Sequence, residues 1–182
     1  VTIINPIEED ETRAKYGEVL YEKRKRKGLT LYEAVKLMRD RNHFAPMMVE
    51  LGEADAMISG LTKNYPNTIR PALQILGKED GIDKVAGMYI MLSSKGTLFF
   101  SDTTVNQKPD VNDIVDITKL THDAVKKFNI VPSIALLSYS NFGSAIGNTP
   151  TKMQKARDIL KQKYPDMIVD GDIQSNMALN QK

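Results

Sequence analysis

The sequence predicts an α/β fold, a three-layer αβα arrangement around a mixed, mostly parallel sheet. Three observations carry this. Ile134 to Leu137 is an apolar run without polar alternation, the pattern of a strand covered on both faces. Helical segments with capping and stop residues alternate with such short apolar runs, as crossover units do. Two further runs, Lys84 to Leu92 and Thr97 to Ser101, flank S-S-K-G and read as a hairpin, which makes the sheet mixed.

In chain order, Thr2 to Ile4 reads as a short strand closed by Asn5-Pro6. A long helix is predicted from Asp10 to Lys27. Acids open it, K-R-K-R-K closes it in keeping with the helix dipole, and Gly28 is the stop. Thr30 and Glu33 form a T-x-x-E capping box for a helix with Leu31, Ala34, Val35 and Met38 on one face. His43 to Leu51 is a helix stopped by Gly52, and Ala54 to Ser59 is a buried strand ending at Gly60. Asn67 caps a helix from Thr68 to Leu76, stopped by Gly77. The polar run Lys78 to Asp83 is the expected boundary between two lobes.

After the hairpin, Pro109-Asp110 start a helix reaching Phe128, with Val111, Ile114, Val115, Ala124, Val125 and Phe128 as its apolar stripe. Thr149 caps and Pro150 opens the helix that follows the central strand and runs to Tyr164. Met167 to Val169 is a strand from which Asp170-Gly171 turn away, and Ser175 to Lys182 begin a helical pattern.

Composition removes several chemistries. The chain has no cysteine, so disulfides, thiolate catalysis and cysteine-bound metal are excluded, and its two histidines, His43 and His122, are far apart. A net charge of +2 does not argue for nucleic acid, and no apolar run approaches the length needed to cross a bilayer. A cytoplasmic setting is expected. Val1 is not an initiator methionine and the closing helical pattern breaks off, so a fragment of a longer polypeptide is expected.

The central strand ends in S-Y-S-N-F-G-S, where Ser138, Ser140, Asn141, Gly143 and Ser144 offer hydroxyl, amide and unhindered N–H groups. Ligands of α/β sheets sit beyond the carboxyl ends of strands, and successive N–H groups can form an anion nest. An ordinary Ser/Gly loop reads the same way. Asp102 and Asp170 end strands, as turn residues do, and Glu53 and Asp55 read as cap or edge residues. His122 reads as structural or exposed, and Met47, Met48, Met88 and Met91 read as core filling.

Five separated blocks, E-K-R-K-R-K-G-L-T, G-E-A-D-A-M-I-S-G, N-T-I-R-P-A-L-Q-I-L, L-L-S-Y-S-N-F-G-S and V-D-G-D-I-Q, together resemble the phosphate acetyl/butyryl transferase family from about Asn5 onward. The resemblance implies a phosphotransacetylase or isocitrate-dehydrogenase-like fold of two lobes with a cleft. Residues 1–80 would be part of one lobe, carrying Arg24 and Arg70, and residues 81–182 part of the other. It implies acyl-CoA or phosphate binding by Arg24, Arg70, Ser140, Asn141, Gly143 and Ser144, with Phe142 either stacking on adenine or packing inward. S-N-F-G-S, in place of the transferases' S-Y-S-T or S-F-S-T, is similar to the transferase-like C-terminal part of large NADP-dependent malic enzymes, and Asn176 stands where the family has an aspartate.

The family's N-D-L-S-R-G block lies downstream of the D-G-x-x-Q segment, so no catalytic residue is assigned in this chain. The implied ligand is coenzyme A or acetyl-CoA. NADP and a divalent metal would act only in the absent N-terminal part of the parent. The expectation is a regulatory, oligomer-holding domain, with homo-oligomers, the parent's own malic enzyme domain and a small acyl-CoA or acyl phosphate as partners, and neither nucleic acid nor membrane. The alternatives are a working acyltransferase and a purely structural oligomerisation module.

Overall fold

The computed structural model describes residues 1–78, 82–94 and 96–180. The chain forms two compact units, Val1–Gly81 and Ile82–Lys182. Half of the expected boundary run, Glu79 to Gly81, lies outside the described residues, as do Lys95 of the hairpin turn and Gln181 and Lys182 at the end.

The first unit is built from four helices, α1 (Asp10–Arg24), α2 (Leu31–Leu37), α3 (Arg41–Glu50) and α4 (Tyr65–Ile75). A 3-10 turn, Lys25–Lys27, follows α1, and Gly28 ends it in the left-handed region at φ 86°. The Thr30/Glu33 capping box forms with both of its bonds. Asp40 caps α3 through the Asn42 N–H, and Gly52 leaves that helix at φ 72°. Tyr16, Leu20, Ala34, Met38, Phe44, Met47 and Ile75 form the core, with the Tyr16 and Phe44 rings tilted at 4.9 Å between centroids. At the α1–α2 crossing the backbones approach closely, because a Cβ on Gly17 would lie 2.5 Å from Val35 Cγ2 and 2.7 Å from its Cα.

The second unit holds β1 (Met88–Ser93), β2 (Gly96–Ser101), α5 (Val111–Lys126), β3 (Ser133–Leu137), α6 (Asn148–Lys163), β4 (Ile168–Ile173) and the single turn α7 (Ser175–Ala178). β1 and β2 pair antiparallel, from Met88 opposite Ser101 to Ser93 opposite Gly96. β3 and β4 pair parallel, with Ile134 opposite Val169 and a register shift after Leu136. Among the described residues these are two separate two-stranded sheets. Asp110 starts α5 with its own capping box to Asp113. The core joins Ile114 and Val115 of α5, Leu136 of β3, Ala156 and Leu160 of α6, and Met167 and Val169 of β4.

Several expectations are corrected. Thr2 to Ile4 and Ala54 to Ser59 are not strands, and Ile3 and Ile58 are 90% and 102% exposed. Extended apolar segments need a neighbouring ladder for their backbone groups, and the first unit has no strand among its described residues. Asn64, not Asn67, caps α4, its side chain accepting from the Asn67 N–H. Gly147 occupies the cap position of α6, so Thr149 falls inside that helix beside the buried Pro150. β4 runs through Asp170 and Gly171 rather than turning away at them. The β3 strand is not covered on both faces, since only Leu136 is buried and Leu137 is 40% exposed. Phe128 and Met91 also face outward, while Met47 is buried as expected.

The Gly17 crossing sets where α1 carries its basic end. Gly17→Ala is expected to lower the stability of the chain by about 1–3 kcal/mol, the cost of overpacking, read by urea denaturation. Unchanged stability would show that the two helices separate freely.

Candidate functional site

Arg24 and Arg70 line one cavity of about 510 Å³ in the first unit, together with Lys27, Lys63, Glu33, Asp40 and His43. Three local features deliver them. Arg24 is the last residue of α1. The left-handed Gly28 turns the chain back into α2. The Asn64 cap starts α4, placing Arg70 in its second turn. Asn42, 4% exposed, fixes α3 against α4 by donating to the Asn67 carbonyl at 3.3 Å, and accepts from the Ser59 hydroxyl at 2.7 Å.

The four cations of this cavity outnumber its two carboxylates, and each carboxylate is held at a helix N-terminus. The Glu33 carboxylate is held by the Thr30 backbone and hydroxyl, which keep it below its ordinary pKa. The Asp40 carboxylate accepts from the Asn42 N–H at 3.0 Å. The side chains of Arg24, Lys27, Lys63 and Arg70 make no hydrogen bond or ion pair among the described residues. The adjoining lysines are engaged elsewhere: Lys23 pairs with Glu50 and donates to the Ile75 carbonyl at 2.9 Å, and Lys25 pairs with Glu22. Of the K-R-K-R-K run, Arg24 and Lys27 thus face the cavity as free cations. His43 adds a half-hidden ring whose Nδ1 is buried without a hydrogen-bond partner, 4.0 Å from Asp40. Burial pushes its pKa down, against the opposing pull of Asp40.

The Ser140–Ser144 bend belongs to the second unit, and most of its groups serve the bend itself. Ser140 is completely buried, and its hydroxyl accepts from the Ala145 N–H at 3.2 Å. The Ser144 hydroxyl accepts from the Asn141 N–H at 2.9 Å, and the Asn141 carbonyl accepts from the Ser144 N–H at 3.0 Å. The Asn141 side chain accepts from the Gln174 N–H at 2.8 Å, tying the bend to the start of α7. Phe142 and Gly143 sit in the left-handed region, at φ 48° and 87°, with the Phe142 ring exposed.

Beneath the bend lies Asp172, which is completely buried. Gln154 of α6 donates to its carboxylate at 2.9 Å. Burial raises its pKa, but hydrogen bonding to the carboxylate outweighs that and holds it low, with Gln154 as the donor in place and Oδ2 buried without a hydrogen-bond partner among the described residues. The Phe142 N–H donates to the Asp172 backbone carbonyl at 2.8 Å, so the bend expected to hold a ligand anion spends that group on the chain itself.

Asp102 has a local role: it accepts from the N–H groups of Gly87, Thr104, Val105 and Asn106 and closes the turn after β2. Among the described residues no cluster of three or more His, Asp or Glu is placed to hold a metal, and no helix is long and apolar enough to cross a membrane.

A sequence model of the phosphate acetyl/butaryl transferases matches residues 1–182. The chain belongs to this family. A phosphate acetyltransferase of Synechocystis sp. is 37% identical over 180 residues, covering 99% of this chain and 26% of that protein. An NADP-dependent malic enzyme of Escherichia coli is 32% identical over 173 residues, covering 94% of this chain and 23% of that protein. The EutD phosphotransacetylase from Staphylococcus aureus superimposes with a TM-score of 0.79 at 31% identity, covering 96% of this chain and 53% of that one. The fold is thus a phosphotransacetylase-like α/β fold, and the chain spans about a quarter of the two relatives and about half of the solved structure.

Within this family member, Lys27, Lys63 and His43 share the arginine cavity and were not singled out by sequence. Lys27 stands three residues after Arg24, a spacing that keeps side chains on one helical face, and His43 stands three after Asp40, so both were readable in principle. Lys63 comes from an irregular segment and carries no such signal.

A buried neutral imidazole makes stability depend on pH with a definite sign. The unfolded chain protonates His43 at its ordinary value of 6.5 while the folded chain resists, so stability falls as pH drops below that value. Denaturant titrations are expected to show this slope in the native protein and a flatter one in His43→Gln. Equal slopes would mean that the ring is not shielded.

Proposed function

We propose that the first-unit cavity binds the phosphate groups of an acyl phosphate or of coenzyme A, and that this chain is the acyl-CoA-responsive domain of a larger NADP-dependent malic enzyme. The observation that carries the reading is the set of four cations, unpaired among the described residues, around one cavity whose two carboxylates are held at helix N-termini. Arg70 and Arg24 offer planar forks of donors suited to phosphate oxygens, and Lys27 and Lys63 add point charges. In the second unit by itself, Asn141, Gly143 and Ser144 would offer a surface for an acyl-CoA or phosphate group, with Ser140 as their internal brace.

The regulatory reading is supported by Asn176, exposed in α7 and without the family's carboxylate, and by the malic enzymes among the relatives. In such a protein acetyl-CoA would bind one global state more tightly than another and so shift the rate of malate oxidation. The NADP and divalent metal of that oxidation would be held by the parent's other part, which would also share in a homo-oligomer.

A second reading is favoured by the phosphate acetyltransferases among the relatives. The thiolate of coenzyme A would attack the acyl carbonyl of acetyl phosphate, forming the thioester as phosphate leaves, with a base taking the thiol proton. The base and the oxyanion donors would come from residues beyond this chain.

Removing one charge-assisted contact is worth about 1.5–3 kcal/mol. Arg70→Ala and Arg24→Ala are each expected to weaken acetyl-CoA binding about tenfold to a hundredfold, read by titration calorimetry. Unchanged affinity in both overturns the cavity assignment. In the longer protein, acetyl-CoA is expected to change the rate of malate oxidation without forming acetyl phosphate when phosphate is added. Formation of acetyl phosphate at a steady rate would instead establish the transferase.

A further inference from the structure

We infer that His43 is an anion-contacting residue of the first-unit cavity. Its imidazole takes up one proton from solvent as a phosphate-like oxyanion enters, so the anion binds more tightly as pH falls. This rests on the assignment of that cavity to phosphate groups and adds to it a fifth, conditional cation.

The ring stands where it can do this. His43 is the third residue of α3, just after the Asp40 cap, and it lines the cavity with Arg24, Lys27, Lys63 and Arg70. Its side chain keeps 12% of its surface exposed, so it is enclosed by the wall and still open to what enters.

Its hydrogen-bonding capacity is unspent. Nδ1 is buried without a partner among the described residues. The Asp40 carboxylate, 4.0 Å away, is too distant for a hydrogen bond and accepts from the Asn42 N–H instead. A buried polar atom left alone in a native fold calls for a reason. A ring that waits for a ligand, among four side chains that wait for the same one, supplies it.

Charge decides the protonation state. The groups around the ring are Arg24 from α1, Lys27 from the turn after it, Glu33 from α2, Lys63 from the segment before α4, Arg70 from α4, and Asp40 at its own cap. Four cations against two carboxylates leave an excess of two positive charges, which opposes a further one. Burial opposes it too, while Asp40 pulls the other way. A dianion cancels the excess and reverses the balance. The imidazolium then adds to a neutralised wall, and it offers two N–H donors in place of one. Binding and protonation favour each other by the same factor. Affinity therefore rises as pH drops through the midpoint of the occupied state and levels off below that of the empty one.

Sulfate is the probe, because it keeps both charges over the range where histidine titrates, about pH 5 to 8. Any proton taken up then belongs to the protein. The chain has only two histidines, one in each unit, so both ring signals can be followed by proton NMR. On saturation with sulfate at matched ionic strength, the His43 midpoint is expected to rise by about one pH unit while that of His122 stays in place. Sulfate affinity is expected to be about five- to tenfold higher at pH 5 than at pH 8, and this slope flattens in His43→Gln. Sulfate that binds, more weakly in Arg70→Ala, and leaves the His43 midpoint unmoved overturns the inference while the cavity assignment stands. A rise shared by His122, or undiminished in Arg70→Ala, marks sulfate acting elsewhere and also overturns it. Failure of sulfate to bind at any pH overturns it again, and failure of acetyl-CoA as well removes the cavity assignment. Where His43→Gln does not fold, the midpoints of the unaltered chain and of Arg70→Ala decide.

Discussion

An excess of positive charge in a concave wall is the constraint on which the rest depends. Like charges drawn together repel, and a fold tolerates this only where something else holds them in place. Here helix caps and backbone geometry do so. Asn64 starts α4 under Arg70, Gly28 stops the chain beyond Arg24, and the carboxylates of Glu33 and Asp40 are spent on the N-termini of α2 and α3. The acids that could have quenched the cavity build its walls instead. Among the described residues the cations remain free for a ligand.

The second unit uses the opposite economy. Its serine and glycine bend closes over Asp172, whose carboxylate accepts from Gln154 and whose backbone carbonyl accepts from the Phe142 N–H. A buried charge without its hydrogen bonds would be very costly, so these contacts hold β4, α6 and the bend in one arrangement. What remains outward is a short surface of Asn141, Phe142, Gly143 and Ser144 on a rigid base. The bend is therefore well shaped to present side chains and poorly shaped to offer empty N–H groups.

Local features were legible in the sequence and non-local ones were not. The Thr30 and Asp110 caps and the stops at Gly28, Gly52 and Gly77 each depend on a few neighbouring residues, and they appear where the sequence puts them. Strands depend on partners. Thr2 to Ile4 and Ala54 to Ser59 have the composition of strands but no ladder within their unit. The site divided in the same way. Arg24 and Arg70 were readable through the resemblance of their blocks, whereas Lys63 joins them only by folding. The bend was readable as polar and glycine-rich, but the carboxylate inside it lies some thirty residues further along the chain, on β4, and no spacing rule connects the two.

The free cations of the first unit make its behaviour depend on the medium. Small oxyanions such as sulfate or phosphate in a buffer would occupy the wall, stabilise the fold by mass action and mask weak ligands. Monovalent salt would screen the mutual repulsion and the attraction to ligand together. Affinities for this chain thus become comparable between preparations only at matched ionic strength and with chloride as the sole counter-ion.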